Sequence, residues 1–277
     1  MKNKKILNFD VQIYFVDIDG TFLDQPNEKE LISSKNINIA RKINEKKILC
    51  LSTGRKNSEF VMNIAQKINS PYVICQNGAI IVNKNNEVLI KNPMNEKDVK
   101  NILEVLKKED MFIMINGNKD VFYGRNSKIS LMRDWVVNCP KKPYSKMQLE
   151  KEITKLLVFG KDIDKTNEFK LKLKKEFPNL EFHTVSSGYS LEITDKKANK
   201  GLGNKFICNL LNIDPKYAVH IGDSGNDTNC LPHIPNFIAM GNSTNEVKKK
   251  ACYIAPNYTN GGVAKLLSEL ENISIIQ

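Results

Sequence analysis

Val11-Gln12-Ile13-Tyr14-Phe15-Val16-Asp17-Ile18-Asp19-Gly20-Thr21 is the stretch on which the fold turns. A short, mostly apolar run ends abruptly in acidic residues. Such a run reads as a strand buried in a parallel sheet. Two carboxylates, Asp17 and Asp19, then project at the strand's carboxyl end, the edge where open α/β sheets bind ligands. One of them suits attack on phosphorus while the other shuttles a proton. A phosphate ester repels a carboxylate, so a divalent cation between them would help. Read alone, the pair is equally a polar turn. A calcium loop fits worse, because it wants glycine at its sixth position and Gly20 is the fourth.

Outward from this stretch the chain alternates strands and helices. A helix is expected over Glu30–Lys46, with Ile32, Ile39, Ala40 and Ile43 on one face. A strand follows at Lys47–Leu51, a helix at Asn57–Ile68 and a strand at Tyr72–Cys75. This order implies right-handed crossovers and a parallel sheet. Beyond Asn77-Gly78 the rhythm changes. Ala79–Val82 and Glu87–Ile90 flank Asn83-Lys84-Asn85-Asn86 as a hairpin. Helices are then expected at Glu96–Lys108, around Ser130–Val137 and at Asn167–Phe177. Strands are expected at Met111–Ile115, Val121–Tyr123, Leu156–Phe159, Leu180–Val185 and Tyr189–Ile193. Hairpins mixed with helices predict an antiparallel α+β domain at residues 83–195, inserted into a parallel α/β core of residues 1–82 and 196–277. In the returning core, Leu202–Leu211 and Val263–Glu271 read as helices, and Ala218–Ile221 and Asn236–Met240 as strands.

Two further strands of the core end in chemistry-bearing residues. The second ends in Ser52-Thr53-Gly54-Arg55, where a hydroxyl beside a helix N-terminus suits a phosphoryl oxygen. Alone, an ordinary Ser or Thr cap is the better reading. The strand at Ala218 ends in Gly222-Asp223-Ser224-Gly225-Asn226-Asp227. Its two acids are plausible ligands, with Asp17, for Mg2+, which favours carboxylates and water. Gly-Asp-Ser-Gly also resembles a serine-protease nucleophile, but His183, His220 and His233 offer no supporting context and read as structural or surface residues. Lys200 lies between these elements, where an ammonium would offset negative charge.

Composition sets the outer bounds. The 277 residues are 41% hydrophobic and 26% charged, an ordinary globular balance. No apolar run approaches the roughly 20 residues of a membrane helix. The basic N-terminus lacks a signal-peptide apolar region, so a cytoplasmic protein with no membrane partner is expected. Six cysteines, none in a CxxC pair, read as reduced core thiols. Lys and Arg total 42 against 31 Asp and Glu, a net +11. That charge suits a nucleic-acid partner or an anionic small substrate. The dense run Lys170-Leu171-Lys172-Leu173-Lys174-Lys175 falls on a helix whose Phe169, Leu173 and Phe177 share one face, so its lysines read as a solvated surface.

Taken together, in order and spacing, these pieces resemble the motifs of the haloacid dehalogenase superfamily, most closely its Cof-like phosphatases with the large α/β cap called type IIB. The resemblance spans nearly the whole chain. It implies Asp17 as nucleophile and Asp19 as general acid/base. It implies Thr53, with Gly54 and Arg55, as the phosphoryl-binding motif, and Lys200-Gly201 as the third motif. Asp223 would bind Mg2+, to which Asp17 and the Asp19 backbone carbonyl also contribute, with Asp227 supporting the ion's shell. Asn77-Gly78-Ala79 and Met240-Gly241-Asn242 also look like family signatures, implying Asn77 and Asn242 near the phosphate, and Gly261-Gly262-Val263 resembles the closing motif. The family often has Met at Cys230 and Ala at Ser243, departures that remove no ligand.

The activity so implied is Mg2+-dependent hydrolysis of a small phosphorylated metabolite, a sugar phosphate or similar phosphomonoester, through an aspartyl-phosphate. The cap would close over the site and read the leaving group. A phosphomutase of the same fold is the alternative. A nucleic-acid module is disfavoured because carboxylates in a phosphate groove repel the ligand. A monomer or weak homo-oligomer is expected. Arg125 and Arg133 are the cap residues considered for an anionic leaving group, though surface roles suit both.

Overall fold

A computed structural model of the chain describes residues 7–131 and 136–274. They form two compact units. One comprises the residues up to Ile90 and from Asn199 onward, and the other Lys91–Ala198.

In chain order the first unit opens with β1 (Ile13–Val16), α1 (Ser34–Lys46), β2 (Ile48–Ser52), α2 (Glu59–Lys67), β3 (Tyr72–Cys75), β4 (Ile80–Asn83) and β5 (Val88–Lys91). The second unit contains α3 (Glu96–Lys108), β6 (Phe112–Ile115), β7 (Val121–Tyr123), β8 (Lys141–Pro143), β9 (Lys155–Phe159), α4 (Ile163–Glu176), β10 (Leu180–Val185) and β11 (Ser190–Asp195). The first unit then resumes with α5 (Lys200–Leu210), β12 (Ala218–Gly222), β13 (Asn236–Ala239), α6 (Asn245–Lys248), β14 (Tyr253–Ile254) and α7 (Gly262–Glu271).

The first unit is an eight-stranded sheet in the order β14-β13-β12-β1-β2-β3-β4-β5. It is parallel from β14 to β3, and β4 runs antiparallel to β3. Every residue of β1 is wholly buried, because apolar layers cover both faces of the sheet. One layer joins Tyr14, Val16, Leu49 and Leu51 to Ile39, Ile43, Val263 and Leu267. The other joins Ile13, Phe15 and Cys50 to Ile207, Cys208 and Phe237. Burial on both faces explains the near-continuous apolar runs of these strands.

Register brings the functional loops together. Val16 sits opposite Leu51 on one side and Ile221 on the other. Asp17, one step on, therefore lies beside Ser52 and Gly222, and its N–H bonds the Ile221 carbonyl at 2.9 Å. Ser52 pairs with Ile74 and Gly222 with Ala239. The loops after β1, β2, β3, β12 and β13 thus leave one carboxyl edge.

The second unit has a six-stranded sheet, β10-β11-β9-β6-β7-β8. Val99, Ile102 and Leu106 of α3 and Phe169 and Leu173 of α4 pack on one face, against Ile113, Leu156, Val158, Phe182 and Ile193. Phe112, Met114, Val121 and Phe159 cluster with Val136.

Several sequence expectations need adjustment. The hairpin strand β5 extends the first unit's sheet, so that unit reaches Ile90 and the second begins at Lys91, past the expected boundary at residue 83. The second sheet is mixed, since β8 pairs parallel with β7. Its Lys-Lys-Pro sequence has no apolar alternation to announce a strand. Helix α1 starts at Ser34, four residues late, because the Ser33 hydroxyl caps it by accepting from Asn36 N–H. Asp162 likewise starts α4 four residues early, by accepting from Lys165 N–H. The helix expected around Ser130–Val137 falls partly outside the described residues, where Ile129–Leu131 makes a single helical turn. Arg133 also lies outside them. Arg125 is exposed. Four of the six cysteines, Cys50, Cys75, Cys208 and Cys230, are buried. Among the described residues no helix is long and apolar enough to cross a membrane.

Candidate active site

Asp17 is the first residue past β1 and is 5% exposed. Lys200, the first residue of α5, is wholly buried, and its Nζ donates to Asp17 Oδ1 at 2.6 Å and Asp227 Oδ1 at 2.7 Å. Asn199 caps α5 by accepting from Leu202 N–H at 2.8 Å, which fixes where Lys200 leaves the backbone. One ammonium therefore bridges two carboxylates in a buried site.

Asp227 is fully engaged. Its Oδ1 also faces His220 Nε2 at 2.9 Å. Its Oδ2 accepts from the N–H groups of Asp223 at 3.1 Å and Ser224 at 3.0 Å. The carboxylate thus ties the Asp223 loop to Lys200. Gly222 makes room for it, since a Cβ there would stand 2.2 Å from Asp227 Cγ. Asp227 was expected in the metal set. It brings an oxygen into one cluster with Asp17 and Asp223, and both its oxygens also accept from protein donors, which holds the loop that presents Asp223.

Burial pushes the Asp17 carboxyl well above its ordinary range, with Lys200 opposing and Asp227 and Asp223 adding to the rise. Burial, then the charge of Asp227, pushes Asp223 up to about 7. Burial would raise Asp227 too, but Lys200 and His220 outweigh it and hold that carboxyl below its usual range. Burial alone would lower Lys200, and the two carboxylates overcome it and hold the ammonium well above its ordinary value.

Asp17, Asp223 and Asp227 each bring a carboxylate oxygen within 4.8 Å of the others. Three carboxyl groups share one ammonium here, and burial together with their mutual repulsion resists ionising Asp17 and Asp223; His220, which burial drives toward its neutral form, adds no compensation. Clustered hard oxygen donors whose ionised forms lack full compensation fit a divalent cation such as Mg2+. Asp17 and Asp223, with Asp227 in the same cluster, are the side chains that could hold it.

The remaining sequence candidates cluster on the same edge. Asp19 and Arg55 form a two-point ion pair at 2.7 and 2.6 Å, each side chain about half exposed. The bond to Asp19 holds the guanidinium above its ordinary range. Thr53 is buried, its Oγ1 accepts from Arg55 N–H at 3.1 Å, and its carbonyl accepts from Asn77 N–H at 2.9 Å. Gly54 completes that turn. Asn77 sits at φ 56°, and its Oδ1 accepts from Asn226 Nδ2 at 3.0 Å. Asn242 Nδ2 donates to the Gly20 carbonyl at 2.9 Å and to Asp223 Oδ2 at 3.3 Å. Asn242 therefore braces the first acidic loop against the second. Gly20, at φ 69°, lets those loops close, because a Cβ there would stand 2.5 Å from Asp223 Oδ2.

His220 and Asn204 were not singled out as site residues, and both are wholly buried beneath the site. The available signal was a polar residue inside an otherwise apolar strand, Ala218-Val219-His220-Ile221, which calls for a buried partner.

Comparisons with known proteins bear on this geometry. Residues 14–267 match the haloacid dehalogenase-like hydrolases. Phosphatase YwpJ of Bacillus subtilis is 26% identical over 289 aligned residues, covering 94% of this chain and all of that protein. The 5-amino-6-(5-phospho-D-ribitylamino)uracil phosphatase YcsE of the same organism is 25% identical over 263, covering 93% and 95%. Among solved structures, BT1666 from Bacteroides thetaiotaomicron superposes with TM-score 0.79 at 20% identity, covering 94% of this chain and 95% of that one. The HAD subclass IIB sugar phosphatase BT4131 gives 0.77 at 21%, covering 95% and 100%. At such identities the structural likeness establishes the fold. The family match covers nearly every element that builds the acidic edge, and the chain belongs to the haloacid dehalogenase-like hydrolases.

Proposed function

We propose that this hydrolase, a phosphatase by family and by its relatives, cleaves a small phosphomonoester through an aspartyl-phosphate on Asp17 and uses Mg2+. The observation that carries the reading is the buried Asp17–Lys200–Asp227 bridge beside Asp223. When bound, a divalent cation would neutralise the excess charge of the carboxylates and of the phosphoryl oxygens.

In the first step an Asp17 oxygen forms a bond to phosphorus as the ester P–O bond breaks. The departing oxygen takes a proton from Asp19. In the second, Asp19 takes a proton from water, whose oxygen attacks phosphorus. Asp17 leaves as a carboxylate and inorganic phosphate is released. Lys200 holds Asp17 in one orientation and balances charge through both steps. On this reading the Thr53 hydroxyl and the Asn77 and Asn242 amides would bind the phosphoryl group. Arg55 steadies Asp19 through its two-point contact.

A sugar phosphate or similar metabolite suits the reading, since one structural neighbour is a sugar phosphatase and one relative acts on a phosphorylated ribityl compound. The test is inorganic phosphate release from a panel of phosphorylated metabolites with Mg2+, comparing wild type with Asp17→Asn. Wild type releases phosphate and leaves no isomer, and the folded variant shows no turnover. Full turnover by the variant would sink the assignment, and an isomeric phosphate ester as product would make the enzyme a mutase.

A further inference from the structure

Beneath the site runs a chain of buried polar groups that the reaction steps do not use. His220 in β12 is wholly buried, with Nε2 2.9 Å from Asp227 Oδ1 and Nδ1 2.8 Å from Asn204 Nδ2. Asn204 lies one helical turn past Lys200 on α5 and is also wholly buried. Its Oδ1 accepts from Ser52 Oγ at 3.3 Å.

Donor and acceptor roles follow from one end. Asp227, an ionised carboxylate bound by Lys200 and two backbone amides, offers only acceptors. His220 Nε2 therefore carries the ring proton. Nδ1 of the neutral ring is then bare and needs a donor, which turns the Asn204 amide nitrogen toward it. The amide oxygen is left facing Ser52, whose hydroxyl donates. Each group has one role compatible with its neighbour, so the ring is fixed in both orientation and tautomer.

We propose that Ser52, Asn204 and His220 form a positioning relay that locks the rotation of the Asp227 carboxylate, so that one oxygen keeps Lys200 on Asp17 while the other keeps the Asp223 loop in place. Without the His220 donor, Oδ1 of Asp227 draws on Lys200 alone, and the ammonium shifts from Asp17 toward Asp227. The relay touches no substrate and acts through Lys200 and Asp223. The inference rests on the phosphatase reading, because its effect is on that reaction.

The experiment compares His220→Leu, His220→Gln, Asn204→Ala and the His220→Leu/Asn204→Ala pair with wild type, measuring kcat, KM and thermal unfolding in Mg2+. His220→Leu should lower kcat about tenfold to a hundredfold, the usual range for groups that orient metal or carboxylate ligands, with KM changed less than about threefold. His220→Gln, whose amide nitrogen can still donate to Asp227, should recover most of the loss. The double variant should be no slower than His220→Leu alone, because both changes break one chain. Nitrogen-15 NMR of the histidine ring in wild type should show a protonated Nε2 and a bare Nδ1, independently of whether any variant folds. The proposal is overturned if folded His220→Leu keeps wild-type kcat, if the two losses multiply, if Gln gives no rescue, or if Nδ1 carries the proton. Asp17→Asn in the same assay separates the two ideas: an active Asp17→Asn defeats the phosphatase mechanism, whereas an inactive Asp17→Asn with an unimpaired His220→Leu defeats the relay alone.

Discussion

Lys200 shows most directly how a single side chain organises the site. Its ammonium is wholly buried between Asp17 and Asp227. Burying a charge is costly unless it is paired, and here each partner also depends on it. Lys200→Met would leave two buried carboxylates without their counter-charge. The metal-free variant should lose about 3–5 kcal/mol of unfolding free energy, measured by urea denaturation, and phosphate release should fall below detection. Unchanged stability would show that solvent already compensates these carboxylates. In the sequence, one lysine in a chain of net +11 carries little signal, and only its place relative to the acidic loops marks it. Asp227 shows the opposite limit. Its motif identified it, yet that both its oxygens are taken by protein donors depends on a turn geometry that spacing does not encode.

At the scale of elements, the site is held by polar ties between loops and helix ends. Asn36 on α1 is wholly buried, donates to the Phe22 carbonyl at 2.9 Å and accepts from Ala264 N–H at 2.9 Å. Asp24 accepts from Ser33 N–H and Gly261 N–H, both at 2.7 Å. These bonds pin the segment after the first acidic loop to the starts of α1 and α7. Asn36→Ala would orphan a carbonyl and an amide, each costing about 1–3 kcal/mol when buried. Chemical denaturation should show a loss of at least the lower figure, with kcat within about threefold of wild type because no site residue is removed. The strands that lead to the site were legible because their apolar runs end in chemistry, as at Val16-Asp17 and Ile221-Gly222-Asp223. Helix starts were less so. Ser33 and Asp162 set them by capping, and a cap competes with several nearby polar residues as a start signal. Strand β8 was invisible because Lys141-Lys142-Pro143, which pairs with β7, has no apolar alternation to announce a strand.

At the scale of the whole molecule, the parallel register sets five loops at one sheet edge, and the carboxylates gathered there suit a metal ion. The clustered carboxyl groups outnumber the single ammonium, so a divalent cation bound to their ionised forms should stabilise the fold as well as support the reaction. Removing metal with a chelator should abolish phosphate release, and adding Mg2+ should restore it. Thermal unfolding should move upward with Mg2+ concentration in wild type, and less in Asp223→Asn. A Mg2+-independent melting temperature with full activity in chelator would contradict this. Domain architecture was legible from the shift between βα alternation and hairpins. The boundary was not, because β4 and β5 have hairpin sequence yet extend the first unit's sheet.

The central claim is that Asp17 becomes covalently phosphorylated. The most direct test is acid quench of the Asp19→Asn variant during a single turnover with a radiolabelled aryl phosphate, whose leaving group needs no proton in the first step while the second step lacks its base, followed by peptide mapping. The account predicts an acid-stable, hydroxylamine-labile phosphoryl group on the peptide carrying Asp17 and on no other. Substrate consumed with no label on the protein, or label on a different residue, would contradict it.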